Sequence, residues 1–150
     1  MDLNPDFRDM LSALNDAGVD YLVVGAYAVA AHGHPRATGD LDIWVRADQV
    51  NASKVYRALL AFGAPSHQIS EADFATPSVV FQIGLPPGRI DILTEVSGIE
   101  FVAAWPQRVD IEMDGLTFPV VSREDLVRNK RASGRPKDLA DLDSLGEGAW

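Results

Sequence analysis

Hydrophobic and polar positions along this chain follow two rhythms, one near the helical period and one of two residues, and the changes between them mark out its elements. Phe7, Met10, Leu11 and Leu14 recur at helical spacing ahead of Gly18 and predict an N-terminal amphipathic helix. The apolar run Tyr21–Val24 predicts a buried strand stopped at Gly25, and Ala26 to His32 favours helix. Asp48 is placed to cap a helix whose Val55, Leu59 and Phe62 face inward and which ends at Gly63. Val79–Ile83 and Arg89–Leu93 flank the turn Leu85-Pro86-Pro87-Gly88 and predict a hairpin, and Asp114-Gly115 joins a second one, Val109–Met113 with Leu116–Val120. Ser122 suits the N-cap of a helix over Arg123–Arg131, with Asp125 at the capping-box position. Pro136 opens a last helix that Leu139, Leu142 and Leu145 pack down. No period emerges between Gly63 and Pro77, which fits a mobile loop over a site or a plain connection.

The chemistry gathers where the period is two. From Arg36 to Arg46, Leu41, Ile43 and Val45 point to one face, and Asp40, Asp42 and Trp44 share the other, joined by Thr38 and Arg36 if the chain is already extended there. Two carboxylates about 6.5 to 7 Å apart on one strand face repel unless a cation sits with them, and hard oxygen ligands so spaced suit Mg²⁺. The alternative is a solvated strand face whose acids pair with Arg36 and Arg46. Asp91 lies between Ile90 and Ile92 on a further strand. If that strand is a neighbour, three carboxylates converge; otherwise an Arg89 partner explains Asp91 equally well. Upstream, Gly25 lets a phosphate approach the backbone at the start of a helix, although a simple strand-to-helix turn needs the same glycine. Trp44 on the acidic face is placed to stack on a nucleobase or to lie under a covering helix. His32 at the end of the helix after Gly25 suits capping or packing, and the three histidines form no metal-ligand spacing.

Taken together, the apolar residue before Gly25-Ala26, the spacer of thirteen residues, Asp40-Leu41-Asp42-Ile43 and the later Asp91 resemble the nucleotidyltransferase superfamily that includes DNA polymerase beta. More narrowly, Gly25 to Gly33 with Arg36 to Asp42 is similar to minimal bacterial nucleotidyltransferases related to AbiEii-type toxins of abortive-infection systems. The resemblance runs from about Tyr21 to Leu145. It implies an α+β nucleotidyltransferase fold with a mixed central sheet, helices packed around it and a C-terminal helical segment at about 122–146. It also implies an enzyme moving a nucleoside monophosphate from an NTP to an acceptor hydroxyl, with Mg²⁺, or Mn²⁺, held by Asp40, Asp42 and Asp91. Gly25, Ala26, Thr38, Lys130 and Arg135 would hold the nucleotide. The family usually has Ser or Gly in place of Ala26, so only the backbone N–H is available there.

Composition narrows the setting more than the chemistry. A length of 150 residues with 47% hydrophobic content suits one domain, 1–150. The longest near-apolar run is too short for a bilayer and Met1–Pro5 does not open a signal peptide, so a cytoplasmic protein is expected. Without cysteine, zinc ribbons and thiolate nucleophiles are excluded. A net charge of −9 argues against broad nucleic-acid binding, yet six of the thirteen basic residues lie between Arg123 and Lys137. That stretch reads as a solvated helix face or as a seat for a triphosphate or an RNA end. It leaves tRNA, a partner toxin or antitoxin protein and small molecules open as acceptors, and a non-catalytic nucleotide-binding or protein-interaction module as the rival reading.

Overall fold

The computed structural model describes residues 3–33, 39–85 and 87–147. Helix α1 (Pro5–Asp16) begins where the Asn4 side chain accepts a hydrogen bond from the Asp6 N–H, and it buries Phe7, Met10, Leu11 and Leu14. Strand β1 (Tyr21–Val24) is buried throughout and runs directly into α2 (Gly25–Ala31). Strand β2 (Asp40–Val45) returns antiparallel to β1. Helix α3 (Gln49–Phe62) follows, capped by Asp48, whose carboxylate accepts from the Asn51 N–H at 2.7 Å, and closed by Gly63 at φ +108. α1 and α3 pack against each other, and the buried Asn51 side chain ties α3 to the Asp20 backbone and the Arg46 carbonyl.

The stretch after Gly63 is neither a lid nor structureless. It forms two 3₁₀ turns, Ser66–Gln68 and Glu71–Ala75, and the second drives Phe74 fully into the core against α3 and edge-on to Phe81. One buried aromatic fixes the segment where no periodicity could announce it. Both predicted hairpins form: β3 (Val80–Ile83) pairs antiparallel with β4 (Arg89–Leu93), and β5 (Val109–Met113) with β6 (Leu116–Val120). Between them lies the short helix α4 (Phe101–Ala104). Trp44 is 2% exposed and meets Phe101 of α4 edge-on at 5.1 Å, so it is covered by a helix and not open to a nucleobase. β2 lies parallel to β4 and β1 parallel to β6, giving a mixed six-stranded sheet in the order β3-β4-β2-β1-β6-β5. The fold is α+β, with α5 (Arg123–Ser133) and α6 (Pro136–Ser144) closing the chain. Ser122 caps α5 through the Asp125 N–H, while the Asp125 carboxylate turns to Arg128 at 3.0 Å instead of completing the capping box. Among the described residues no helix is long and apolar enough to cross a membrane.

Candidate functional site

Strand register builds the site. Val24, Asp42, Asp91 and Gln82 form one row across β1, β2, β4 and β3. Parallel strands in register put side chains of paired residues on the same face. The Asp42 and Asp91 carboxyls therefore meet, close enough to share a hydrogen bond. Burial, reinforced by the charges of Asp91 and Asp40, pushes Asp42 up to about 6, and Lys137 opposes that rise. Gly25 is held at φ +69 directly against this pair: a Cβ there would lie 2.3 Å from Asp42 Oδ2. The glycine after β1 is thus required by the approach of a carboxylate as well as by the turn itself.

The row opens into a cavity of about 570 Å³. Asp40, Asp42 and Asp91 line it from the sheet, Gly25 and Ala26 from the start of α2, and Lys130, Arg135 and Lys137 from α5, the α6 cap and α6. The three acids do not converge equally. Asp40 faces Arg89, whose Nη2 donates to Asp40 Oδ2 at 3.1 Å, and Arg89 Nε lies 3.4 Å from Asp91 Oδ1. Among the described residues no three His, Cys, Asp or Glu side chains are gathered closely enough to hold an ion unaided. The Asp42–Asp91 pair nevertheless suits a hard divalent cation. Mg²⁺ is commonly held by one or two carboxylates plus substrate phosphates, and Asp91 Oδ1 is buried without a hydrogen-bond partner among the described residues. Arg46 plays no part here: it pairs with Asp20 at 3.0 Å and covers the Phe101 ring. His32 Nε2 donates to the Val121 carbonyl, a packing role.

The basic stretch is largely neutralised within the fold. Lys130 is buried between Asp138 at 3.2 Å and Asp141 at 2.9 Å, so its ammonium is committed to α6 rather than held out to a phosphate. Arg135 donates from Nε to Asp138 at 2.7 Å yet stays more than half exposed at the cavity rim. Burial alone would raise the Asp138 carboxyl, but hydrogen bonds from Arg135 and Lys130 hold it below the usual range. Arg123 and Arg131 both reach Glu147, and Arg128 reaches Asp125. Lys137 stands apart: it is exposed, lines the cavity and acts on Asp42, and among the described residues it has no ion-pair partner. Its place one residue after Pro136 in the first turn of α6 was the signal for it, passed over because the family resemblance singles out Lys130 and Arg135. A close approach also shapes the rim. Gly98 at φ +80 lies where a Cβ would come 2.5 Å from the Ala132 Cβ, which presses the loop after β4 onto α5. Thr38 lies outside the described residues.

The fold is shared with a solved structure, a protein from Thermotoga maritima provisionally assigned as a nucleotidyltransferase. The two superpose with a TM-score of 0.57 at 16% identity, over 94% of this chain and 88% of that one. No curated protein matches the chain significantly. The sequence itself is more specific than the fold: residues 4–149, which span the glycine turn, both carboxylate strands and the two C-terminal helices, match the family described as nucleotidyl transferase of unknown function (DUF2204), and the chain belongs to that family.

Proposed function

We propose that this chain transfers a nucleoside monophosphate from an NTP to an acceptor hydroxyl, with Mg²⁺ or Mn²⁺ held by Asp42 and Asp91 and joined by Asp40. The observation that carries the reading is the in-register Asp42–Asp91 pair, a like-charged couple facing a cavity whose other wall is cationic. Two carboxylates kept in contact against their repulsion store a demand for positive charge, which a proton meets at low pH and a divalent ion meets at neutral pH. A bound ion would supply Lewis acidity at the α-phosphate and lower the pKa of the attacking hydroxyl. Asp91, on the acceptor side, takes the hydroxyl proton. The acceptor oxygen forms its bond to the α-phosphorus as the bond to the bridging oxygen breaks, and pyrophosphate leaves with the electron pair. Arg135 and Lys137 line the cavity and would meet the departing charge, and Gly25 and Ala26 line it at the start of α2.

The test is transfer of label from each α-labelled NTP, with Mg²⁺ or Mn²⁺, to total tRNA, lysate protein and small hydroxyl compounds offered separately, with Asp42→Asn alongside. Label that requires Asp42 supports the reading and names the acceptor class, including any toxin or antitoxin partner. Transfer that survives Asp42→Asn overturns it. One observation favours a second reading, a nucleotide-binding module without turnover: the Lys130 ammonium is already satisfied by Asp138 and Asp141. Calorimetric binding of NTP with no transfer to any acceptor would favour that module.

A further inference from the structure

Arg89 opens β4 opposite Asp40 in the parallel β2–β4 pair, and its side chain emerges on the same face as Asp91 two residues on. Its guanidinium reaches both acids unequally. Nη2 donates to Asp40 Oδ2 at 3.1 Å, while Nε stands 3.4 Å from Asp91 Oδ1 without hydrogen-bond geometry. Both atoms of that second contact are buried and lack a hydrogen-bond partner among the described residues. An arginine settled permanently between two carboxylates takes them in bonded, commonly bidentate geometry, and buried polar atoms are seldom left unbonded. The side chain of Arg89 is 31% exposed and that of Asp91 only 10%, so the arginine is the partner with room to leave.

We propose that Arg89 is a built-in competitor of the divalent ion: its guanidinium screens Asp40 and Asp91 from each other until an ion binds and must swing aside for a hard divalent cation to be held there. The inference rests on the transferase reading. Two cations cannot share carboxylates at these distances without strong repulsion, so the ion binds weakly until something compensates. A triphosphate does so twice. It brings anionic oxygens to the ion, and it offers the displaced guanidinium a phosphate in place of the carboxylates it gave up. Ion and nucleotide thereby load together, and the site stays closed to free cations.

The experiment is Mn²⁺ binding to the full chain, followed by calorimetry and by electron paramagnetic resonance of the free ion, for the unaltered protein, Arg89→Gln, Arg89→Lys and Asp42→Asn. Without nucleotide, Arg89→Gln should bind Mn²⁺ at least about tenfold more tightly than the unaltered chain, because a like charge has left the site. Saturating ATP should narrow the difference. Arg89→Lys keeps the charge but not the reach across two carboxylates, so it should bind several-fold more tightly than the unaltered chain, and it carries the comparison if the glutamine variant does not fold. Equal or weaker Mn²⁺ binding by the Arg89 variants, with binding still lost in Asp42→Asn, would overturn the competitor role and leave the transferase reading standing. Failure of every chain to bind Mn²⁺, with ATP present or absent, would remove both.

Discussion

Gly25 and Asp42 occupy space that only one of them can fill: a Cβ on residue 25 would lie 2.3 Å from Asp42 Oδ2 and 3.1 Å from its Cγ. The atoms in the way belong to a side chain, so the fold can yield by turning the Asp42 carboxylate aside, and that turn removes it from Asp91. Gly25→Ala is therefore expected to cost about 1–2 kcal/mol of stability, since φ +69 is also unfavourable for alanine. Transfer should fall by roughly a hundredfold or more, the scale of effect expected when a reacting group is displaced by about 1 Å. Thermal unfolding and label transfer on the same preparation check both halves. An alanine variant that keeps full activity would mean that the Asp42 position is not critical.

Asp42 also sets a sign for pH dependence. Its carboxyl stands at about 6 in the folded chain against an ordinary 3.8, pushed up first by burial and then by Asp91 and Asp40. The folded state is thus penalised wherever Asp42 is ionised, fully above about pH 6 and not at all below 3.8. In metal-free buffer at pH 8, Asp42→Asn should stabilise the protein by on the order of 2 kcal/mol while abolishing transfer, and the gain should vanish by pH 4. Asp138 acts oppositely: its depressed carboxyl stabilises the fold above its unfolded value and loses that effect as the pH falls through the folded one. Melting temperatures across pH for both chains test this, and an asparagine variant that is less stable at pH 8 would contradict it. Mg²⁺ together with ATP should raise the melting temperature of the unaltered protein more than either alone, and Asp42→Asn should lose that extra rise.

The two lysines of the cavity wall should separate cleanly. Lys130→Met removes the cation that Asp138 and Asp141, both almost fully buried, share, and is expected to destabilise the fold by about 3 kcal/mol. Lys137 is exposed and unpaired among the described residues, so Lys137→Ala should change stability by no more than about 0.5 kcal/mol. It should instead raise the KM for NTP several-fold. Denaturant titration with steady-state kinetics distinguishes the roles, and a stable Lys130→Met chain with weakened NTP binding would reassign Lys130 to the phosphate.

What could be read from the residues alone was what depends on neighbours in sequence. The Asp48 cap, Gly63, the Asp114-Gly115 turn and the alternation through β2 all have local causes, and all appear where their spacing puts them. Where a charged group finds its partner was not legible, because that depends on which elements meet. The α5–α6 packing turns the Lys130 ammonium, which the resemblance assigns to the nucleotide, towards Asp138 and Asp141. Asp40 faces Arg89 only because β2 and β4 lie parallel and in register. Trp44 is covered by α4, four residues long and too short to show a period. Phe74, with Ala64 and Ile69, anchors the segment after Gly63 in the core at a spacing that follows neither period.

The basic stretch bears on the acceptor. Of its six cationic residues, Arg123, Arg128, Lys130, Arg131 and Arg135 each have a carboxylate partner within the fold, but Arg123 and Arg131 share Glu147, which leaves Lys137 and about one further uncompensated charge. Affinity for nucleic acid comes mainly from cations that release counterions from phosphates, and a cation already paired with a carboxylate contributes little to it. On a chain of net charge −9, tRNA should therefore bind weakly. The slope of log affinity against log salt should be no steeper than about −2, the value for two or so phosphate contacts. Lys137→Ala should flatten it further, and Arg128→Ala should leave it nearly unchanged, because Arg128 has the Asp125 carboxylate to itself. A titration of labelled tRNA at several salt concentrations decides the matter. A slope near −5 would mean that these ion pairs open to receive RNA, whereas a shallow slope directs the search for the acceptor hydroxyl to proteins and small molecules.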